Sequence, residues 1–271
     1  MTTQINYQFA PAAAAATEPA GERWKVLIID DEPEVHAVTR LALSDFKFLG
    51  RGLEFHSAES GEAGKELVAA HPDAAIVLLD VVMETDDAGL TVARYIREEL
   101  GNRFTRIILR TGQPGQAPER TVVASYDIND YKSKTELTAQ KLFTAVMVSL
   151  RSYRDILLVD RRCQSLHRVL ELLVEDPASR HPASWLERLE QQLRQLTGRV
   201  AHSYTLADAG LTDPPSTALW QDEQDTWLYL PGVDYVVKLS NGDTGLGQHE
   251  LEILQLISQA VGRVWYSAAA Q

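Results

Sequence analysis

The stretch Ala75-Ile76-Val77-Leu78-Leu79-Asp80 constrains the fold more than any other part of this chain. It is apolar without a break and ends on a carboxylate. A half-buried strand alternates, whereas an unbroken run suits a central parallel strand covered on both faces. Such a strand needs neighbours of its own kind, and the chain supplies them. Val26-Leu27-Ile28-Ile29 is a second run, ending in Asp30-Asp31, and Ile107-Ile108-Leu109 a third, ending in Arg110-Thr111-Gly112. Leu53 to Ala58 alternates, as a strand nearer the sheet edge does. Asp127 to Tyr131 is expected as a fifth strand, leading into Lys132-Ser133-Lys134.

Helical spacing fills the intervals. Pro33 suits a first turn, with Val35, Val38 and Ala42 following it. Ser60 opens a helix carrying Ala63, Leu67 and Ala70, which Pro72 stops. Leu90, Ala93, Ile96 and Leu100 predict a third helix, closed by Gly101, and Gly115 to Ser125 a weaker fourth. A fifth starts near Thr135 and carries Leu137, Leu142, Val146 and Leu150. Five such βα units predict a doubly wound α/β domain over residues 23–150. Residues 1–22, with Pro11, an alanine run from Ala12 to Ala16 and Pro19, read as a disordered leader.

Asp80 alone reads equally as a strand cap. Right-handed crossovers, however, bring Asp30, Asp31, Asp80, Thr111 and Lys134 to one sheet edge, where ligands of open parallel sheets bind. Carboxylates gathered there repel one another unless a cation neutralises them. Hard oxygen donors with room for water favour Mg²⁺. A carboxylate beside that ion is a nucleophile toward a phosphoryl group, whose oxygens then need donors such as the Thr111 hydroxyl and the Lys134 ammonium. Gly112 leaves space beside them.

The motifs Ile29-Asp30-Asp31-Glu32-Pro33, Leu79-Asp80-Val81-Val82-Met83, Leu109-Arg110-Thr111-Gly112 and Asp130-Tyr131-Lys132-Ser133-Lys134 resemble the receiver domains of two-component response regulators. The resemblance covers about residues 24–150 and implies the flavodoxin-like strand order 2-1-3-4-5, of which a receiver is itself a standard example. It implies that Asp80 accepts phosphate from a histidine kinase or phosphotransfer protein. It also implies that Asp31, Asp80 and the Val82 backbone carbonyl bind Mg²⁺, with Asp30 acting through water. Thr111 and Lys134 would contact the phosphoryl group, with Tyr131 as the rotameric switch. Lys132 is a rival for the lysine role, with a less suitable spacing from Tyr131. Two departures touch the pocket: Thr135 stands where the family usually has proline, and Glu84-Thr85-Asp86-Asp87-Ala88 replaces the usual proline-containing loop.

Beyond Leu150 the helical pattern continues through Tyr153, Ile156, Val159, Cys163, Leu166, Leu170 and Leu173 to Pro177. Residues 151–175 are expected to form a signalling helix. Val159, Cys163, Leu166, Leu170 and Leu173 take the alternating steps of a coiled-coil seam, which predicts a homodimer; with fewer than three heptads, the alternative is that the stripe packs against the chain's own second domain. Residues 176–271 predict a smaller α+β domain. A helix carries Trp185, Leu189, Leu193 and Leu196. Candidate strands run from Val200 to Leu206, Thr217 to Gln221, Thr226 to Leu230 and Tyr235 to Leu239, and a closing helix contains Leu251 to Val264. This half resembles GAF-type sensory modules. With the receiver it resembles the regulatory part that precedes cyclic-di-GMP phosphodiesterases of the HD-GYP class. Trp220, Trp227 and Trp265 line either a ligand pocket or the core.

The functional expectation is a phosphorylation-controlled regulator that relays its state to the second domain. The alternative is the regulatory part of a cyclic-di-GMP phosphodiesterase. No His-Asp pair and no Gly-Tyr-Pro occurs, and His167, His181, His202 and His249 lack metal-ligand spacing, so no enzymatic activity is expected. A haloacid-dehalogenase-like phosphatase wants a second aspartate where Val82 stands. A net charge of -12 argues against direct nucleic-acid binding. Cys163 is the one cysteine, and no apolar run is long enough to span a bilayer, so a cytoplasmic location is expected.

Overall fold

The structure, a computed structural model, describes residues 23–112, 127–134, 138–174, 182–222, 224–240 and 245–269. They divide into two compact units, the first ending at Leu158 and the second beginning at Val159.

The first unit is built on five parallel strands: β1 (Trp24–Ile29), β2 (Leu53–Ala58), β3 (Ile76–Asp80), β4 (Arg106–Thr111) and β5 (Asp130–Ser133). Their order is β2-β1-β3-β4-β5, the flavodoxin-like arrangement expected. The apolar runs explain why both faces are covered. Val26, Ile28, Ile76, Leu78 and Ile108 point into one core, with Leu142, Val146, Leu150 and Tyr153. Leu27, Ile29, Val77, Leu79, Ile107 and Leu109 point into the other, with Val68, Val92 and Ile96. The fifth strand begins three residues later than expected, so Lys134 follows directly on its last residue.

Helix α1 (Pro33–Ala42) departs from its apolar pattern. It buries His36 and Thr39 and leaves Val38 exposed, because the groups it meets behind β1 and β4 are polar. In α2 (Gly61–Ala70), Ser60 caps the first turn by accepting from Ala63 N at 3.3 Å. Its buried face is Gly61, Gly64 and Val68, one residue out of phase with the expected stripe. α3 (Ala88–Arg94) runs into a π-helical turn over Tyr95–Glu99, and Gly101, at φ 62°, closes it as expected. The helix expected over Gly115 to Ser125 lies outside the described residues, as do Thr135 and Leu137. Helix α4 then runs from Ala139 to Val174 without a break.

In the second unit, α5 (Pro182–Thr197) and α6 (Gln248–Ala269) accompany four antiparallel strands. These are β6 (Ala201–Thr205), β7 (Leu219–Gln221), β8 (Asp225–Leu230) and β9 (Tyr235–Ser240), in the order β6-β9-β8-β7. Trp185, Leu189 and Leu193 of α5 and Leu254, Ile257 and Val261 of α6 pack on Leu228, Leu230, Val237 and Leu239. The coiled-coil stripe divides: Leu173 joins this core and Leu166 packs against it, while Val159 and Leu170 are each 61% exposed and Cys163 is exposed. Val169 and Leu172, off the stripe, are buried instead, because three to four positions per two turns face a globular core. Trp265 meets Trp185 edge-on at 5.8 Å against the core, whereas Trp220 and Trp227 stack at 6.0 Å as an in-register cross-strand pair. No described helix is long and apolar enough to cross a membrane.

Candidate functional site

Parallel register sets the site. Ile29 pairs with Leu79, Asp80 with Arg110, and Thr111 with Ser133. Strands β1, β3, β4 and β5 therefore end together at one rim: Asp80 and Thr111 are the last residues of β3 and β4, and Asp30 and Lys134 follow directly on β1 and β5. Asp30, Asp31, Glu32 and Asp80 bring carboxylate oxygens within 4.8 Å of one another. Glu32 belongs to the quoted motif but had no expected role. It enters because the turn after β1 doubles back: Glu32 N donates to Asp30 Oδ1 at 3.1 Å.

Asp80 is 3% exposed. Its Oδ1 accepts from Val81 N at 2.8 Å, and its Oδ2 accepts from Lys134 Nζ at 2.8 Å. Lys134 also donates to Glu32 Oε1 at 2.7 Å and Asp30 Oδ1 at 3.3 Å. Its place is anchored by Lys134 N donating to Thr111 O at 2.7 Å. Lys132 pairs with Asp130 instead, at 3.0 Å. Thr111 is buried at the end of β4, and Tyr131, paired with Leu109, packs against the α2–α3 side of the sheet. Val82, two residues beyond Asp80, packs against that same core.

Burial pushes the Asp80 carboxyl up; Lys134 opposes this, and the neighbouring Asp30 charge adds to it. For Lys134, burial acts downward but is outweighed by its hydrogen bonds to Asp80 and Glu32, so the ammonium is held above the ordinary lysine value. Glu32 is lowered by its hydrogen bond and charge contact with Lys134. Several clustered carboxylates with a single movable cation suit a hard divalent ion with oxygen preference, and the donor set fits Mg²⁺.

Three contributors were not legible as site residues. Arg110 is buried, and its Nη2 donates to Asp30 Oδ2 at 3.2 Å and its Nη1 to Thr39 Oγ1 at 3.0 Å. His36 sits behind the rim, with Nε2 2.6 Å from Asp30 O and Nδ1 3.0 Å from Ser57 Oγ. Glu84, in the loop that departs from the family pattern, accepts from Gly61 N at 2.9 and 3.1 Å and so caps α2 from across the rim. For Arg110 and His36 the available signal was their polarity at positions that pattern reading assigns to a strand or helix face; Glu84, in a loop, offered none.

Residues 26–147 match the family model of the response regulator receiver domain, so this part of the chain is a receiver domain of a two-component response regulator. Among curated proteins, the 3'3'-cGAMP-specific phosphodiesterase 2 of Vibrio cholerae serotype O1 (strain ATCC 39315 / El Tor Inaba N16961) is 47% identical over 175 residues. The match covers 65% of this chain and 34% of that protein, so the chain spans about a third of its relative's length. Two solved receiver domains are similar. One is from an HD domain-containing protein of Pseudomonas fluorescens Pf-5, with 22% identity, 49% of this chain, 99% of that chain and TM-score 0.42. The other is a response regulator receiver domain protein from Clostridium thermocellum, with 23% identity, 50% of this chain, 98% of that chain and TM-score 0.41.

The relative overturns one expectation. The absence of two catalytic motifs suggests a chain without enzymatic activity, yet the curated protein it resembles at 47% identity is an enzyme. Missing motifs exclude one kind of catalytic centre, not a connection with catalysis.

Proposed function

We propose that Asp80 is the phosphoacceptor of the receiver domain and takes its phosphoryl group from a histidine kinase or phosphotransfer protein. The observation that carries this reading is the position of Asp80: a buried carboxylate at the end of the central strand, among three other carboxylates and against Lys134. An Asp80 oxygen attacks phosphorus, and the new O–P bond forms as the P–N bond to the donor imidazole breaks. The imidazole nitrogen keeps the electron pair and takes up a proton. Asp30, Asp31, Asp80 and the Val82 carbonyl would hold Mg²⁺, which supplies charge neutralisation for the transferring oxygens. Lys134 moves with the phosphoryl group, Thr111 donates its hydroxyl to it, and Tyr131 follows Thr111 as the switch.

The state of this site then passes along α4 to the second unit, which we read as a GAF-like sensory or relay module. An antiparallel sheet with helices packed on it supports that reading. The output proposed is control of cyclic-dinucleotide hydrolysis, on the strength of the phosphodiesterase relative. Exposed Val159, Cys163 and Leu170 favour pairing of two α4 helices in a homodimer. Mild oxidation should then yield a Cys163–Cys163 dimer on a non-reducing gel, and a chain that stays monomeric and uncrosslinked at tens of micromolar would refute pairing.

The acceptor assignment is tested with a small phosphodonor and Mg²⁺. Wild type should gain one acid-stable, base-labile phosphate and Asp80→Asn none. Undiminished labelling of Asp80→Asn would refute it.

A further inference from the structure

Arg110 is a strong cation placed where a parallel strand ordinarily carries an apolar residue. Its neighbours Ile108 and Leu109 fill the two cores, but Arg110 reaches along the sheet to the back of the acidic rim. Its side chain is 2% exposed against a fully buried Asp30. A buried charge is tolerated only when it is paired and hydrogen-bonded. Here Asp30 answers one terminal nitrogen and Thr39 of α1 the other, while Arg110 Nε finds no partner among the described residues.

The two cations of the pocket are unequal. Lys134 is on the rim, 17% exposed, on a stem with several rotatable bonds. It can leave Asp30 and Asp80 when another cation or a phosphoryl group arrives. Arg110 is held from both ends of its guanidinium in a closed space and has nowhere to go. With Asp30, Asp31, Glu32 and Asp80 ionised, Arg110 and Lys134 leave two negative charges uncompensated.

We propose that Arg110 is a resident counter-ion of the acidic pocket: it fixes Asp30 from behind and keeps a positive charge beside the divalent-ion site, which weakens ion binding. The inference rests on the reading of that pocket as a Mg²⁺ site. Asp30 Oδ2 remains committed to Arg110, so Asp30 faces an incoming ion with its other oxygen only. The pocket thereby stays folded without a metal, and occupancy follows the Mg²⁺ concentration instead of being saturated at all times.

The test is a Mg²⁺ binding isotherm by calorimetry on the full chain, for wild type, Arg110→Gln and Arg110→Lys. The glutamine keeps a donor near Asp30 and removes the charge; the lysine keeps the charge and loses the fork. Charge opposition in a poorly solvated site predicts that Arg110→Gln binds at least about tenfold more tightly than wild type. Arg110→Lys should stay within about threefold of wild type, since a charge of the same sign remains. Weaker or unchanged binding by Arg110→Gln would overturn the proposal, and so would equal changes in both variants, which would assign Arg110 to geometry alone. If Arg110→Gln is unfolded without metal, its melting midpoint in rising Mg²⁺ reports the same affinity. A variant that stays unfolded in saturating Mg²⁺ also overturns the proposal, because the ion is expected to replace the lost cation. Uptake by wild type with no shift in the variants defeats this inference alone, whereas no uptake by any of the three defeats the metal reading with it.

Discussion

Lys134 Nζ lies 2.8 Å from Asp80 Oδ2, across 54 residues of sequence, while Lys132, two residues earlier, pairs with Asp130 of its own strand. The difference arises at the end of β5. Lys132 is still inside the strand, whereas Lys134 is past it, with its backbone N held by Thr111 O. Lys134 and its rival in the sequence, Lys132, thus occupy different environments.

Lys134→Met should therefore lower the rate of Mg²⁺-dependent labelling by a small phosphodonor on the order of a hundredfold, the loss typical of one donor aimed at developing charge. Lys132→Met should label at close to the wild-type rate. Equal losses in the two variants, followed by radiolabel or mass spectrometry, would contradict the assignment.

The raised Asp80 carboxyl predicts a pH dependence with a defined sign. Burial and the Asp30 charge keep Asp80 protonated to higher pH in the folded chain than in the unfolded one. Without metal, this proton stabilises the fold at low pH, and that stabilisation is lost as pH rises through the folded-state value, above the ordinary aspartate value of about 3.9. Asp80→Asn cannot ionise. Its melting midpoint, relative to wild type in chelator, should rise with pH across that window. Mg²⁺ favours the ionised carboxylate, so adding it should shrink or reverse the difference.

Gly89 fixes the loop behind Asp80. Its N–H donates to Val81 O at 3.0 Å, and a Cβ at this position would lie 1.8 Å from Asp80 O. That neighbour is backbone and cannot yield without moving Asp80 itself. Gly89→Ala should cost at least about 1–3 kcal/mol in urea denaturation and reduce labelling at Asp80. Gly64→Ala is a fitting comparison. Its Cβ would meet Ile29 Cγ2 at 2.8 Å, a side chain that can shift, so the loss should be smaller.

Trp185 holds the second unit. It is fully buried, and its Nε1 donates to Leu172 O at 3.1 Å, tying α5 to the end of α4. Trp185→Ala should destabilise by about 3–5 kcal/mol and Trp185→Phe by about 1–3 kcal/mol, the latter chiefly from the carbonyl left without its donor. Denaturation monitored by far-ultraviolet circular dichroism measures both, and a Phe variant as stable as wild type would show that the hydrogen bond is not the issue.

By itself the sequence determined the sheet and its rim. A strand buried on both faces must be apolar at every position, so β1, β3 and β4 announce themselves locally, and the residue after each run must emerge at the sheet edge. That is why Asp30, Asp31, Asp80, Thr111 and Lys134 were legible as a group before any contact was known. The antiparallel strands of the second unit were legible too, as short candidate strands within two residues of the observed ones. Tertiary structure alone decided what stands behind that rim and which helix faces turn inward. A ten-residue helix offers several faces, and α1 buries His36 and Thr39 because Asp30 O and the Arg110 guanidinium lie opposite them, the latter a demand made from 71 residues along the chain. The α4 stripe was divided in the same way, with Leu173 taken by the core around Trp185 and Val159 and Leu170 left outside. Periodicity reports that a face exists; only the groups that meet it in space determine whether that face is covered and by what.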